Sequence, residues 1–365
     1  MLLVFQEKYE YRDLIKVVFL CGSNYEEDDT DKRNVLKSYI EKKMPDCRPI
    51  ILEENFWFKK TNRQYFSYDN IFLKNLAHIE QLASLFAWKI IIVHESISTA
   101  AEIGAFAINP LVAKKICLLV PDSIAIEEKK LSSFIKLAFF AYGSRESNIE
   151  EKITYYPDVE IIRRSPDKSE YYTYFHNNEI GNCLGYKIDS FLNKSNTMSM
   201  LLIKKAPFNQ LGNNEKAVSY IVNHDTKKIE VSIPPHIFKS QLVSQFFVEA
   251  FRRSVRQEKK IHIHVSYIVK YYEDIMYSTI QELSGEQVEG YEIKCKLQQT
   301  TCTIRQATGY LIYMLQAAKF IALEQVNEDV NVRKMTLSTS LENCRNDLSG
   351  MIYDVKKTSF GRLNL

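Results

Sequence analysis

The chain has 365 residues, 45% of them apolar and 25% charged, with a formal net charge of +3. That length exceeds what one hydrophobic core commonly serves, so two domains are expected. The composition is that of a globular protein, the charge is too small to demand a nucleic-acid partner, and no stretch approaches the ~18 unbroken apolar residues of a membrane span. Seven cysteines, an odd number without a CxxC pair, read as reduced thiols and point to the cytoplasm. The opening MLLVFQEKYEYRD turns charged after Phe5, which is the pattern expected without a signal peptide.

In chain order, Val17 to Cys21 reads as a first buried strand, ended by Gly22-Ser23-Asn24. An acidic loop, Glu26 to Asp31, precedes a helix over 32–43 that Pro45 terminates. Arg48 to Leu52 is a second strand. Asp69 can cap a helix reaching Phe86, with Ile71, Phe72, Leu76, Ile79, Leu82, Ala83 and Phe86 at helical spacing. Ile90 to Val93 has the β-branched content of a strand buried on both faces. Thr99 followed by Glu102 then marks a helix start, running to Ala107. Ile116 to Val120 is a fourth strand, followed by a helix near 131–142 and a fifth strand near 159–162. The alternation predicts an α/β fold, with a flavodoxin-like, doubly wound parallel sheet over residues 1–150. No GxGxxG follows the first strand.

Residues 151–365 are expected to form an α+β domain. Strand signals lie at 200–203, 228–233 and 260–269, and helix signals at 240–257 and 307–325. Arg252, Arg253 and Arg256 on one helix, continued by Lys259 and Lys260, form either a nucleic-acid-binding patch or the solvated side of an amphipathic helix. His262 and His264 fall on one strand face, but no third metal ligand accompanies them.

The stretch KIIIVHESISTAAEIGAFAIN, residues 89–109, places a small polar turn at the carboxyl edge of a parallel sheet, where ligands of open α/β folds bind. Its Glu95-Ser96, Thr99 and Glu102-Ile103-Gly104-Ala105-Phe106, with Phe19-Leu20-Cys21-Gly22, the acidic Glu53-Glu54 after strand two and Ser133-Phe134-Ile135, resemble the nucleoside 2-deoxyribosyltransferase-like family, and more closely its N-glycosidase effectors encoded beside bacterial retrons. Where that family often carries Asp at the start of strand three, this chain has Trp88-Lys89. The resemblance implies a toxic antiphage effector that cleaves or transfers the N-glycosidic bond of a nucleotide or nucleoside. It further implies inhibitory partners, a retron reverse transcriptase and its RNA-linked single-stranded DNA, and leaves a homo-oligomer open. No cofactor is called for.

Cleaving such a bond develops positive charge at the anomeric carbon, which one carboxylate can attack or stabilise. Glu102 is the candidate, although Thr99 to Glu102 also spells a capping box that explains the acid by helix stability alone. Gly22, Ser23, Asn24, Glu53, Glu54, Ser96, Ser98 and Thr99 are the candidate substrate contacts. Two other readings remain open: a TIR-like NAD glycohydrolase, which also sets a Glu beside a flavodoxin-like sheet, and a nucleotide sensor without catalysis.

Overall fold

A computed structural model describes residues 9–11, 16–23, 25–55, 76–121, 152–156, 175–176, 178–194, 198–206, 210–211, 217–239, 263–297, 300–326 and 329–335. The chain divides into two compact units: Ile15–Phe58 with Leu73–Ser195, and Met1–Leu14 with Lys59–Phe72 and Asn196–Leu365. The expected split at residue 150 differs from this, because residues 152–156 extend the sheet of the first strands.

Strand β1 (Tyr9–Tyr11) belongs to the second of these units. The first contains β2 (Lys16–Cys21), α1 (Lys32–Lys43), β3 (Cys47–Ile50), the short α2 (Leu52–Asn55), α3 (Leu76–Phe86), β4 (Lys89–Val93), α4 (Ile97–Ala107), α5 (Pro110–Ala113), β5 (Ile116–Pro121) and β6 (Ile153–Tyr156). A hairpin of β7 (Phe175–His176) and β8 (Glu179–Ile180) and helix α6 (Asn182–Asn193) follow. Strands β3-β2-β4-β5-β6 lie in that order and every pairing is parallel. Counted within the sheet, the order is 2-1-3-4-5. It reverses direction between β2 and β4, and the carboxyl ends at such a reversal are where open α/β sheets bind their ligands.

The central strands are buried on both faces, which is why their sequences run apolar without alternation. Val18, Leu20, Ile91, Val93, Cys117 and Leu119 share one core layer with Leu36 and Ile40 of α1 and Leu184, Ile188 and Leu192 of α6. On the alternate positions, Phe19 meets Phe106 of α4 edge-on, ring centroids 6.1 Å apart. Helices therefore cover both faces, and the fold is α/β.

In the other unit, β1, β9 (Met198–Lys205), β10 (Ala217–Asn223), β11 (Lys228–Ser232), β13 (Glu292–Leu297) and β14 (Thr300–Thr303) form a mixed six-stranded sheet. A smaller sheet holds β12 (Ile263–His264), β16 (Asp329–Met335) and β15 (Ile321–Val326). Two sequence expectations are corrected here. The strand expected over 260–269 stops at His264, where α7 (Val265–Ser284) begins. Ile268, Val269, Tyr272, Met276 and Ile280 are buried at helical spacing, which outweighs the short alternation before them. The helix expected over 307–325 is α8 (Ile304–Ala317), capped by Thr303 with Gln306. It stops where Lys319 takes a positive φ of 59°, and Ile321 starts β15. The expected helices at 131–142 and 240–257 and the strand at 159–162 lie outside the described residues. Among the described residues, no helix is long and apolar enough to cross a membrane.

Ile91 is fully buried in the central strand β4. Replacing it with Ala is expected to cost about 2–5 kcal/mol, read as a lower urea midpoint for the unit that contains the parallel sheet.

Candidate functional site

The chain of α4 begins one turn earlier than its sequence suggests. Ser96, not Thr99, is the N-cap: its side chain accepts from the Thr99 N–H, and the Thr99 hydroxyl accepts from the Ser96 N–H. The Thr99 hydroxyl also donates to the Ser96 carbonyl at 2.6 Å and lies 2.8 Å from His94 Nδ1, which leaves it saturated and fully buried. With its proton given to Ser96, Thr99 accepts from the ring, so the neutral His94 carries its proton on Nδ1. Burial lowers the His94 pKa and keeps the ring neutral. Ser98 is exposed, its Oγ 2.7 Å from that of Ser96.

This shift removes Glu102 from the cap. The acid sits in the second turn of α4, partly buried, and its Oε2 is a buried atom with no hydrogen-bond partner. Burial, with the nearby charges of Glu80 and Glu53, pushes its pKa up to about 8, against a smaller opposing effect from Arg33. Glu80, from α3, is likewise lifted to about 7 by burial and by Glu53. Three carboxyl groups, carried by α2, α3 and α4, thus converge at the carboxyl edge of the sheet.

Arg33 anchors this group. Its side chain is 1% exposed. Nη1 donates to Glu53 Oε1 at 2.8 Å, Nη2 donates to the Ser23 carbonyl and to Asp31 Oδ2 at 2.7 Å each, and Nε is shared between the Asp31 oxygens. Burial disfavours its charge, but Asp31 and Glu53 more than offset that, so the guanidinium stays protonated. Gly22 makes room for it: a Cβ there would stand 2.8 Å from Arg33 Cδ. Of the two acids after strand two, Glu53 joins the cluster and Glu54 instead pairs with Lys37 of α1. Glu95 is held by Lys32 and accepts from the Tyr156 hydroxyl at 2.6 Å. Asn24 and the basic run Arg252, Arg253, Arg256, Lys259 and Lys260 lie outside the described residues, as does Ser133-Phe134-Ile135. Among the described residues no cluster of three or more His, Cys, Asp or Glu side chains is arranged to hold a metal ion.

Sequence reading missed Glu80 and Arg33, though each leaves a trace. Glu80 interrupts the apolar stripe of its helix, between Leu76 and Ala83. Arg33 is a cation in the first turn of a helix, the end whose dipole disfavours positive charge, and such a placement asks for acids nearby.

Residues 29–323 match the model of a family described as STM3845 retron effector protein. The chain belongs to that family. The effector is also 31% identical over 153 residues to an Escherichia coli protein named "Retron Ec73 putative ribosyltransferase/DNA-binding protein". That alignment covers 41% of this chain and 46% of the relative, so the effector spans about half the length of the curated protein it matches.

Raised carboxyl pKa values make stability depend on pH with a definite sign. A carboxyl whose pKa is higher folded than unfolded stabilises the fold at low pH, and that contribution disappears as pH rises through the folded value. Glu102→Gln is therefore expected to gain in Tm relative to the parent protein as pH rises from about 4.5, with the difference growing up to about 8 and levelling off above it. A Tm difference flat across that range would show that Glu102 is ordinarily solvated.

Proposed function

We propose that this retron effector cleaves or transfers the N-glycosidic bond of a nucleotide or nucleoside through Glu102. The observation that carries this reading is the orphaned, partly buried Glu102 carboxyl grouped with Glu80 and Glu53 at the sheet's switch point. Breaking the bond requires one carboxylate near the anomeric carbon and one proton for the departing base. Glu102 and Glu80 are pushed to about 8 and about 7. Coupled groups of this kind titrate as a pair, so near neutrality the two share a proton. Positive charge growing on the sugar favours an ionised Glu102, which moves the shared proton toward Glu80 and the leaving group. Water as acceptor gives hydrolysis, and a second base gives transfer.

The strand order 2-1-3-4-5 supports a flavodoxin-like architecture for the catalytic unit. The relative's name, which joins a ribosyltransferase to DNA binding, supports glycosyl chemistry and a nucleic-acid contact here. We assign that contact to the C-terminal half, with Arg252, Arg253, Arg256, Lys259 and Lys260 as its phosphate-binding residues. Through it, a reverse transcriptase and RNA-linked DNA would hold the toxin inactive in the cytoplasm. Gly22, Ser23, Glu53, Ser96 and Ser98 border the crevice in this reading. Thr99 serves the helix rather than the ligand, and Glu54 serves Lys37.

Incubating the purified effector with a panel of nucleotides and deoxynucleotides, and with NAD, tests the chemistry by chromatography of the released base. Free base is expected, with kcat/KM greatest between about pH 7 and 8 and reduced at least about 100-fold in Glu102→Gln. Nicotinamide release would replace this reading with NAD hydrolysis, binding without release would replace it with a sensor, and full activity of Glu102→Gln would remove Glu102 from the chemistry.

A further inference from the structure

Among the described residues, Arg33 bonds to one member of the carboxyl cluster, Glu53. Arg33 spends its donors on Asp31, on the Ser23 carbonyl and on one oxygen of Glu53. The guanidinium is buried under Gly22, where any side chain would collide with it. It also lies over the Tyr25 ring, 5.5 Å from the centroid. Glu53 is thus held in place through Oε1. Among the described residues, the titratable and charged groups that act on Glu102 are Glu80 from α3, Glu53 from α2 and Arg33 from α1, and Glu102 in turn acts on the Cys21 thiol at the end of β2.

We propose that Arg33 is a positioning residue of this site: it holds Glu53 as a fixed anion beside Glu80 and Glu102, so that the proton the cluster carries resides on that pair. The argument rests on geometry. An arginine fork with two carboxylates and a backbone carbonyl in place has almost no freedom, and a buried guanidinium stripped of its acids is strongly unfavourable. Glu53 Oε1 is committed to the Arg33 guanidinium, whereas Glu102 has an unpartnered oxygen on which a proton can sit. Glu80 and Glu102 each feel the Glu53 charge as a repulsion, which favours the proton on one of them. Arg33 bonds to neither Glu80 nor Glu102; it acts chiefly through Glu53, and more weakly by its own charge on Glu102. A lysine has the charge but not the fork, and it would keep the proton balance while loosening Glu53.

This inference deepens the glycosidic reading above, and its test does not depend on turnover. The full-length chain, labelled at the glutamate carboxyl carbon, is titrated by NMR, with the Glu102 resonance assigned by its loss in Glu102→Gln. Glu53→Gln is expected to move the Glu102 midpoint down by about one pH unit, Arg33→Met to move it down by less, because Glu53 is then no longer held as an anion while the weaker attraction of Arg33 is lost as well, and Arg33→Lys to stay near the parent value; a rise in Arg33→Met would overturn the proposal. Circular dichroism and a cooperative melt confirm the fold of each variant. If Arg33→Met does not fold, Glu53→Gln and Arg33→Lys carry the comparison. A Glu102 midpoint that is the same in every folded variant would overturn the proposal, even with Glu102 essential for cleavage. Midpoints that move as expected in a protein that cleaves nothing would instead uphold the proton balance and sink the glycosidic reading.

Discussion

Three carboxyl groups gathered in a partly buried crevice repel one another, and removing them from water costs still more. The larger effect on both Glu80 and Glu102 is burial, with repulsion second. Protonation eases such a cluster, and a buried cation that offsets part of its charge eases it further; Arg33 is such a cation. The surrounding structure depends on this constraint. Gly22 is kept small by it, the β2–α1 connection is fastened through the Ser23 carbonyl, and Asp31 serves both as the α1 cap and as a partner of the guanidinium. The fold provides the position, since the connections leaving β2 and β4 turn to opposite faces of the 2-1-3-4-5 sheet, to α1 and to α4.

The two edges of the parallel sheet carry opposite chemistry, and helix polarity explains it. Helices start at the carboxyl edge, where their N-terminal N–H groups tolerate acids, and end at the amino edge, where their last carbonyls attract cations. At the amino edge Lys115 donates to the carbonyls of Ser84, Leu85 and Ala87 at the end of α3, and Lys152 donates to Ala113 at the end of α5. Trp88-Lys89 belongs to this edge. The Lys89 amine lies 5.5 Å from the Trp88 ring and 4.8 Å from that of Phe191, and burial, then Lys194, lowers its pKa to about 8. The residues that depart from the resembled family therefore open β4, and Glu102 follows its far end, about 16 Å of strand away. The departure alters the support of the sheet rather than the surroundings of the acid.

The strands β2, β4 and β5 of the parallel sheet were legible because burial on both faces writes an unbroken apolar run, as in Lys89–Val93, whereas β6 at Ile153–Tyr156 was not read. Helix α1 was legible to the residue because Asp31 caps it and a proline follows its end. Boundaries failed where two signals of equal local quality competed. Ser96 and Thr99 are both good caps, and only the packing of Ile103 and Phe106 into the core decides between them. At 260–269 and 307–325, a short alternation and a long helical spacing overlap, and a neighbouring strand settles each case. The site was half legible. Glu102 and Glu53 lie beside strands whose ends could be read, but Glu80 and Arg33 come from helices whose facing sides depend on tertiary packing. No spacing rule joins residues 33, 53, 80 and 102.

The relocation of the cap changes what Glu102 means. Had Thr99 been the N-cap, the acid would have bonded to a backbone N–H, which favours the ionised form and gives a low pKa. With Ser96 and Thr99 capping each other, the first turn is satisfied without Glu102, and its Oε2 is left buried and unpaired. An unsatisfied buried polar atom costs about 1–3 kcal/mol. Nothing in the stability of α4 offsets that cost, because the cap is complete and Ile103 and Phe106 already anchor the helix. A local rule broken without structural compensation is the pattern of a functional position. The same carboxyl that weakens the fold would be satisfied by a ligand that brought a hydroxyl, or a developing positive charge, to that oxygen.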